Sequence, residues 1–331
     1  MNDPRSAAPR PLRLDDKISF VGKGLVRPEC VLASARGDLF TADWRGGVAH
    51  RRADGSQVLY SGTLPDGRKP RPNGIAMRRN GSFLLAELGE TQGGVFELAR
   101  DGTMRAVVLR ADGQDLPPTN FVHEDALGRI WITVSTRKAP RSDAYRADVA
   151  DGYIVLADAR GARIVADGLG YTNEALPSPD GRFLYVNETF GRRLTRYRLA
   201  GDGGLSARET VASFGPGTFP DGLAFDGEGG VWIVSVVSNR VIRVAPDGSQ
   251  QLVLEDCDAA HLDAVERAYH AGEMGRPHLD TIRSRALRNV SSLAFGGPDL
   301  RTAYLGCLLG DTIAVFRSPV AGAPPVHWNY P

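Results

Sequence analysis

The chain has 331 residues, of which 42% are hydrophobic and 24% charged, a composition that supports an ordinary globular core. Its 40 Lys and Arg against 39 Asp and Glu leave a net charge of +1, with no clustered basic face to attract nucleic acid. No apolar run approaches the roughly 18 residues of a membrane helix, and the opening MNDPRSAAPRPLRLDDK lacks the apolar stretch of a secretory signal, so a cytoplasmic protein with neither nucleic acid nor membrane as partner is expected.

In chain order, residues 1–16 read as an N-terminal tail and 17–331 as one β-propeller assembled from an internal repeat. The repeat is a polar residue, a short apolar run, a turn ending in Gly, and a second apolar run. It reads PECVLASARGDLFTAD from Pro28, PNGIAMRRNGSFLLAE from Pro72 and TNFVHEDALGRIWITV from Thr119. It returns as TNEALPSPDGRFLYVN from Thr172, PDGLAFDGEGGVWIVS from Pro220 and SSLAFGGPDLRTAYLG from Ser291. One spacing recurs from polar residue to turn: Glu29 to Gly37, Asn73 to Gly81, Asn120 to Gly128, Asn173 to Gly181 and Asp221 to Gly229. In the sixth copy the same step runs from Ser292 to Leu300. Each copy predicts strand, tight turn, strand; Asp54-Gly55, Asp101-Gly102 and Asp247-Gly248 then predict hairpins into a fourth strand, because both residues tolerate positive φ. Six such copies make an all-β, six-bladed propeller. The segment Lys17–Gly22 is placed to complete the last blade and so remove an exposed edge.

Between the fifth and sixth copies the chain lengthens, and residues 257–288 carry a helical pattern. Leu262, Val265 and Tyr269 share a face that Leu279, Ile282 and Leu287 continue, while Gly275 and Pro277 predict a break between two short helices. This insert is expected to form a lid. Cys30, Cys257 and Cys307 have no metal or redox spacing and read as small buried hydrophobes. His123 reads as blade packing, and His261, His270 and His278 as solvated helix positions.

The first strand of each propeller blade lines the central channel, so the repeated polar residue recurs at its mouth once per blade. Glu29, Asn73, Asn120, Asn173, Asp221 and Ser292 are therefore expected to converge. Two carboxylates and three carboxamides on one axis form an oxygen cage suited to a hard divalent cation. Without one, the confined carboxylates repel each other.

The strings PECVLASARGDLF, NFVHEDALGRIW, TNEALPSPDGRFLYV and FPDGLAFDGEGGVWIV, in that order, resemble the SMP-30/gluconolactonase/LRE family of regucalcin-like proteins and sugar lactonases. The resemblance implies a six-bladed propeller that binds one divalent cation, Ca²⁺ foremost with Mg²⁺, Mn²⁺ or Zn²⁺ as alternatives. It implies hydrolysis of a small-molecule lactone or ester. Carried over residue by residue, it makes Glu29, Asn120, Asn173 and Asp221 the metal residues, with Asp221 also the catalytic base. Two strings depart from the family. Its Arg-x-Asn-Asp-Gly is Pro118-Thr119-Asn120-Phe121-Val122 here, and its Ser-Asp-Thr is Asn187-Glu188-Thr189. The expected substrate is therefore not a simple sugar lactone but an aromatic or alkyl one, contacted by Asn73, Asn120, Phe121, Trp44 and Glu188. Loops carrying Asp43, Arg45, Arg137 through Arg146 and Asn239 are expected to shape the pocket, and the insert's Tyr269 or Met274 to make it more apolar. Phosphotriester hydrolysis and non-catalytic calcium binding are the alternatives.

Overall fold

The computed structural model describes residues 18–331; the N-terminal tail and Lys17 lie outside the described residues. Six four-stranded antiparallel sheets follow one another as blades. Blade one is Val31–Ala33, Leu39–Asp43, Gly47–Arg51 and Gln57–Ser61; blade two is Pro72–Met77, Phe83–Glu87, Gly94–Leu98 and Met104–Val108. Blade three is Phe121–Glu124, Ile130–Val134, Gly152–Asp158 and Gly161–Leu169; blade four is Thr172–Pro177, Phe183–Glu188, Arg193–Leu199 and Leu205–Ser213. Blade five is Thr218–Phe225, Val231–Val237, Arg240–Val244 and Gln250–Leu254. Blade six has Val290–Gly296, Thr302–Cys307 and Ile313–Arg317, and Ser19–Val21 supplies its outer strand, pairing Phe20 with Ala314. The two ends of the described chain thus close the ring.

The recurrent spacing has a backbone cause. Gly37, Gly81, Gly128, Gly181 and Gly229 all adopt positive φ, between 69° and 83°, at the turn from first to second strand. Glycine meets no Cβ penalty there. Leu300 occupies the same step of blade six at φ 56°, so the turn geometry survives where the glycine does not.

The core lies between blades. Phe40 and Val48 of blade one pack with Phe83 and Leu85 of blade two, and Leu84 and Val95 of blade two with Ile132 and Val155 of blade three. Trp131 joins blades three and four, Leu194 and Ile233 join four and five, and Trp232 and Phe295 join five and six. Val31, Ala49 and Ile313 close six onto one.

The insert forms helix α1 (Ala259–Ala271) and helix α2 (Arg276–Asp280). Asp258 caps α1 by accepting the His261 N–H at 2.7 Å, and Gly272 ends it at φ 71°. The helix break spans residues 272–275 and so includes Gly275, the N-cap of α2, whereas Pro277 sits within the first turn of α2, where its missing N–H costs nothing. Val265, Tyr269, Met274, Leu279 and Leu287 are buried, whereas Ile282 is 42% exposed and leaves the apolar face. Tyr269 donates its hydroxyl to the Phe190 carbonyl at 2.6 Å, fixing α1 on blade four. Among the described residues no helix is long and apolar enough to cross a membrane. Cys30 and Cys307 are buried, and all three cysteines are free.

Candidate metal centre at the propeller axis

Two local devices deliver the repeated polar residue. In blades two, four and five the pairing of first and second strands is interrupted there, between Pro72 and Ile75, Thr172 and Ala175, and Pro220 and Leu223. Such bulges re-aim a side chain, here that of Asn73, Asn173 and Asp221. In blades one and three the first strand starts only after the polar residue, at Val31 and Phe121. Backbone packing at the axis is close. A Cβ on Gly222 would lie 2.6 Å from the Ser291 carbonyl oxygen and from Ser292 Cα.

Glu29, Asn73, Asn120, Asn173 and Asp221 line one cavity of about 60 Å³ and are all buried. A relay of amides links them. Asn73 Nδ2 donates to Glu29 Oε1 at 2.6 Å, Asn120 Nδ2 to Asn173 Oδ1 at 2.7 Å, and Asn173 Nδ2 to Thr189 Oγ1 at 3.0 Å. Asn187 Nδ2 holds the Asp221 backbone carbonyl at 2.9 Å. Asp221 Oδ1 is buried and accepts no hydrogen bond from any described residue. Burial raises the Glu29 carboxyl to about 7, against the pull of Arg27 and the Asn73 hydrogen bond. Burial, then the charge of Glu29, raises Asp221 well above the usual carboxylate range. Two desolvated carboxylates, carboxamide oxygens and a buried oxygen without a donor suit a hard divalent cation. No cluster of three or more His, Cys, Asp or Glu side chains able to hold a metal occurs among the described residues, so carboxamide or backbone oxygens would have to complete this donor set.

Residues 27–255 match the SMP-30/Gluconolactonase/LRE-like region. The chain belongs to that family. It is 28% identical over 282 residues to 6-deoxy-6-sulfogluconolactonase of Pseudomonas putida, covering 84% of this chain and 81% of that protein. It is 27% identical over 243 residues to a pentonolactonase of Haloferax volcanii, covering 72% and 67%. The solved gluconolactonase of Xanthomonas campestris has the same fold, with a TM-score of 0.68 at 21% identity over 95% of this chain and 96% of that one.

Several positions named from the sequence of this family member do not reach the cavity. Glu188 turns away from the axis: its carboxylate accepts from Arg193 Nε at 2.7 Å, Arg208 Nη2 at 3.1 Å and the Gly170 N–H at 2.6 Å. Phe121 is 6% exposed and packs toward Phe40 and Phe83, bordering a second cavity of about 530 Å³ further along the channel. His123 borders that cavity too, together with His327 from the C-terminal segment. Trp44 lies outside the inner cavity, beneath the guanidinium of Arg27 at 4.6 Å. Ser292 accepts the Val31 N–H at 3.1 Å and stays in the blade. Asp43 is consumed by Arg45 at 2.7 Å, and Asn239 accepts the Val290 N–H at 2.9 Å. Tyr269 and Met274 pack under the insert and do not line the inner cavity.

Other residues do line it, among them Arg141 and Tyr145 of the Arg137 through Arg146 loop expected to shape the pocket. Arg141, whose Nη2 donates to Asn120 Oδ1 at 2.9 Å, comes from the loop of blade three. Arg276 and Leu279 come from the insert, Tyr145 and Tyr171 from blades three and four, and Arg27 stands two residues before Glu29. Arg27 was legible only as a neighbour of the Pro28-Glu29 motif.

Proposed function

We propose that this protein is a divalent-cation-dependent lactonase, with Glu29, Asn120, Asn173 and Asp221 as the residues that hold the cation, calcium foremost. The observation that carries the reading is the buried, unpartnered Asp221 Oδ1 beside the desolvated Glu29 carboxyl. The named activities of the two lactonase relatives agree with it. A bound cation supplies Lewis acidity toward an ester carbonyl. The chain's own part is positioning and proton transfer. The ionised Asp221 carboxylate takes the proton of the attacking water. Asn187 keeps the Asp221 main chain in place through its 2.9 Å hydrogen bond. Asn73 orients Glu29 and, through its 3.1 Å bond to the Asn120 carbonyl, ties blades two and three at the axis. The insert, through Leu279 and Arg276, covers the cavity and limits water.

The test is hydrolysis of sugar, alkyl and aromatic lactones, with organophosphates alongside, by protein that has been chelated and then given Ca²⁺, Mg²⁺, Mn²⁺ or Zn²⁺. Lactone turnover should vanish on chelation and return with one of the cations. Asp221→Ala should lose roughly 10²- to 10⁴-fold in kcat, the range of a general base. An Asp221→Ala protein with full activity, or turnover indifferent to chelation, refutes the assignment.

A further inference from the structure

Outside the inner cavity lies a wider vestibule of about 820 Å³, opening between blades one and six and the insert. Two charged residues line both spaces, and both are arginines: Arg27 and Arg276. With Leu308 they form the neck where the two spaces adjoin.

Arg27 has no partner that accounts for its charge. The Arg27 guanidinium makes no hydrogen bond or ion pair within four ångströms with a described side chain; its Nε is buried without a partner, and its face rests 4.6 Å from the Trp44 ring. Its backbone is held at φ 54°, a conformation that a non-glycine residue adopts at some cost and that is retained where geometry matters. Arg276 is anchored by Asp280, at 2.5 Å, on its own helix, which fixes the side chain at the neck while leaving it 45% exposed. The charge does not balance either. Arg141 adds a third guanidinium to the inner cavity and Arg288 a fourth charge to the vestibule, whose acidic groups are Asp280 and Asp311. A divalent cation between Glu29 and Asp221 would cancel those two carboxylates and leave four guanidiniums facing only Asp280 and Asp311, an excess of two positive charges. An uncharged substrate would leave that excess uncompensated in a partly dehydrated neck. A planar oxyanion would satisfy it, since guanidinium forks match carboxylate geometry.

We infer that the substrate carries an anionic group, a carboxylate or similar oxyanion, held at the neck by Arg27 and Arg276 while its reacting ester lies beside Asp221. This rests on the cation-dependent lactonase reading for the reacting end, and the assay separates the two. The probes are γ-butyrolactone bearing a γ-carboxylate and its uncharged γ-carboxamide, offered to calcium-loaded full-length protein. The carboxylate should be preferred in kcat/KM by roughly 10- to 100-fold, the worth of one or two charge-assisted hydrogen bonds. Arg276→Gln should erase most of that ratio through KM and Arg276→Lys should restore part of it, with calcium affinity by calorimetry confirming an intact centre. Equal use of both probes by the native protein, or an unchanged ratio in Arg276→Gln, overturns the inference. If neither probe is hydrolysed, the lactonase reading is in trouble, and calorimetry decides the rest. Carboxylate binding at least tenfold tighter than carboxamide, weakened by Arg276→Gln, supports the anion site, and equal binding rejects it.

Discussion

Beside the Tyr269 hydrogen bond, an ion pair between Glu266 and Arg192 latches the insert that brings Arg276 to the neck, and loosening that pair should free the insert without loosening the blades. Glu266 on α1 accepts from Arg192 Nη2 at 2.6 Å and Nη1 at 3.0 Å, and from the Gly217 N–H at 2.6 Å. The two side chains are only 14% and 11% exposed. Removing one partner of a buried pair costs about 3–5 kcal/mol. Glu266→Gln keeps an acceptor for Gly217, and Arg192 keeps its stacking on Tyr269 at 3.8 Å and Phe219 at 4.4 Å. The expected loss is therefore smaller, about 2–3 kcal/mol, and it falls on local opening of the insert. By native-state hydrogen exchange, the slow amides of α1 should exchange roughly 30- to 150-fold faster, at tenfold per 1.4 kcal/mol. Amides of Ile132, Leu184 and Ile233 in the blade interiors should be unaffected. If the α1 amides keep their protection, or if blade amides lose it in equal measure, the latch is not local and the reasoning fails.

Three further outcomes are expected. Asp226→Ala should destabilise the fold by roughly 3–5 kcal/mol, read as a lowered urea midpoint, because Trp232 Nε1 at 2.9 Å and Arg243 Nε at 2.6 Å both donate to its buried carboxylate. Gly222→Ala should cost about 1–3 kcal/mol or more and weaken calcium binding measured by calorimetry, since its Cβ would strike backbone of the adjacent blade; a variant with native stability and affinity contradicts the packing argument. Burial holds His123 and His327 down to about 4, from an ordinary 6.5. Between those values the unfolded chain binds protons that the native one does not, so stability falls as pH falls through that window, by roughly 2–3 kcal/mol per ring, and recovers as pH rises. Urea unfolding of His123→Gln with His327→Gln, followed from pH 7 to 4, should show a shallower decline than the parent protein, and an identical slope rejects the account.

The blades were legible because their turns obey a backbone rule. A positive-φ corner at a constant distance from a polar residue is a geometric demand, visible as Gly37, Gly81 and their equivalents. Convergence of Glu29, Asn73, Asn120, Asn173 and Asp221 follows from that register, and all five border one cavity. Substrate contacts were less legible, for two physical reasons. Neighbouring positions of an extended chain point oppositely, so Asn120, just before the strand, faces the inner cavity and Phe121 does not. Glu188 sits directly across its hairpin from Arg193, and a cross-strand pair of opposite charge was the signal that it is spoken for. Arg27 and Arg276 are distant in sequence and meet only through the path of the insert, which no repeat encodes.

The buried polar cluster depends on the ring being closed. Freed from the ladder by a bulge or by a late strand start, each polar residue needs partners for its backbone, and neighbouring blades provide them. The Gly74 N–H reaches the Asn120 carbonyl at 3.0 Å, the Thr119 N–H the Glu87 carbonyl at 2.9 Å, and Asn187 of blade four the Asp221 carbonyl of blade five at 2.9 Å. Between blades six and one, Ser291 Oγ donates to the Glu29 carbonyl at 2.8 Å and the Cys307 N–H to that of Pro28 at 2.9 Å. Glu29 is thus positioned by the last blade, which is itself completed by Ser19–Val21 at the other end of the described chain. An unpaired buried backbone group costs about as much as a lost hydrogen bond, so opening the ring at that closing strand would release Glu29 before it disturbed the interiors of blades two to five. The centre should accordingly be the first part of the propeller to fail, and cation binding a more sensitive reporter of ring closure than secondary structure.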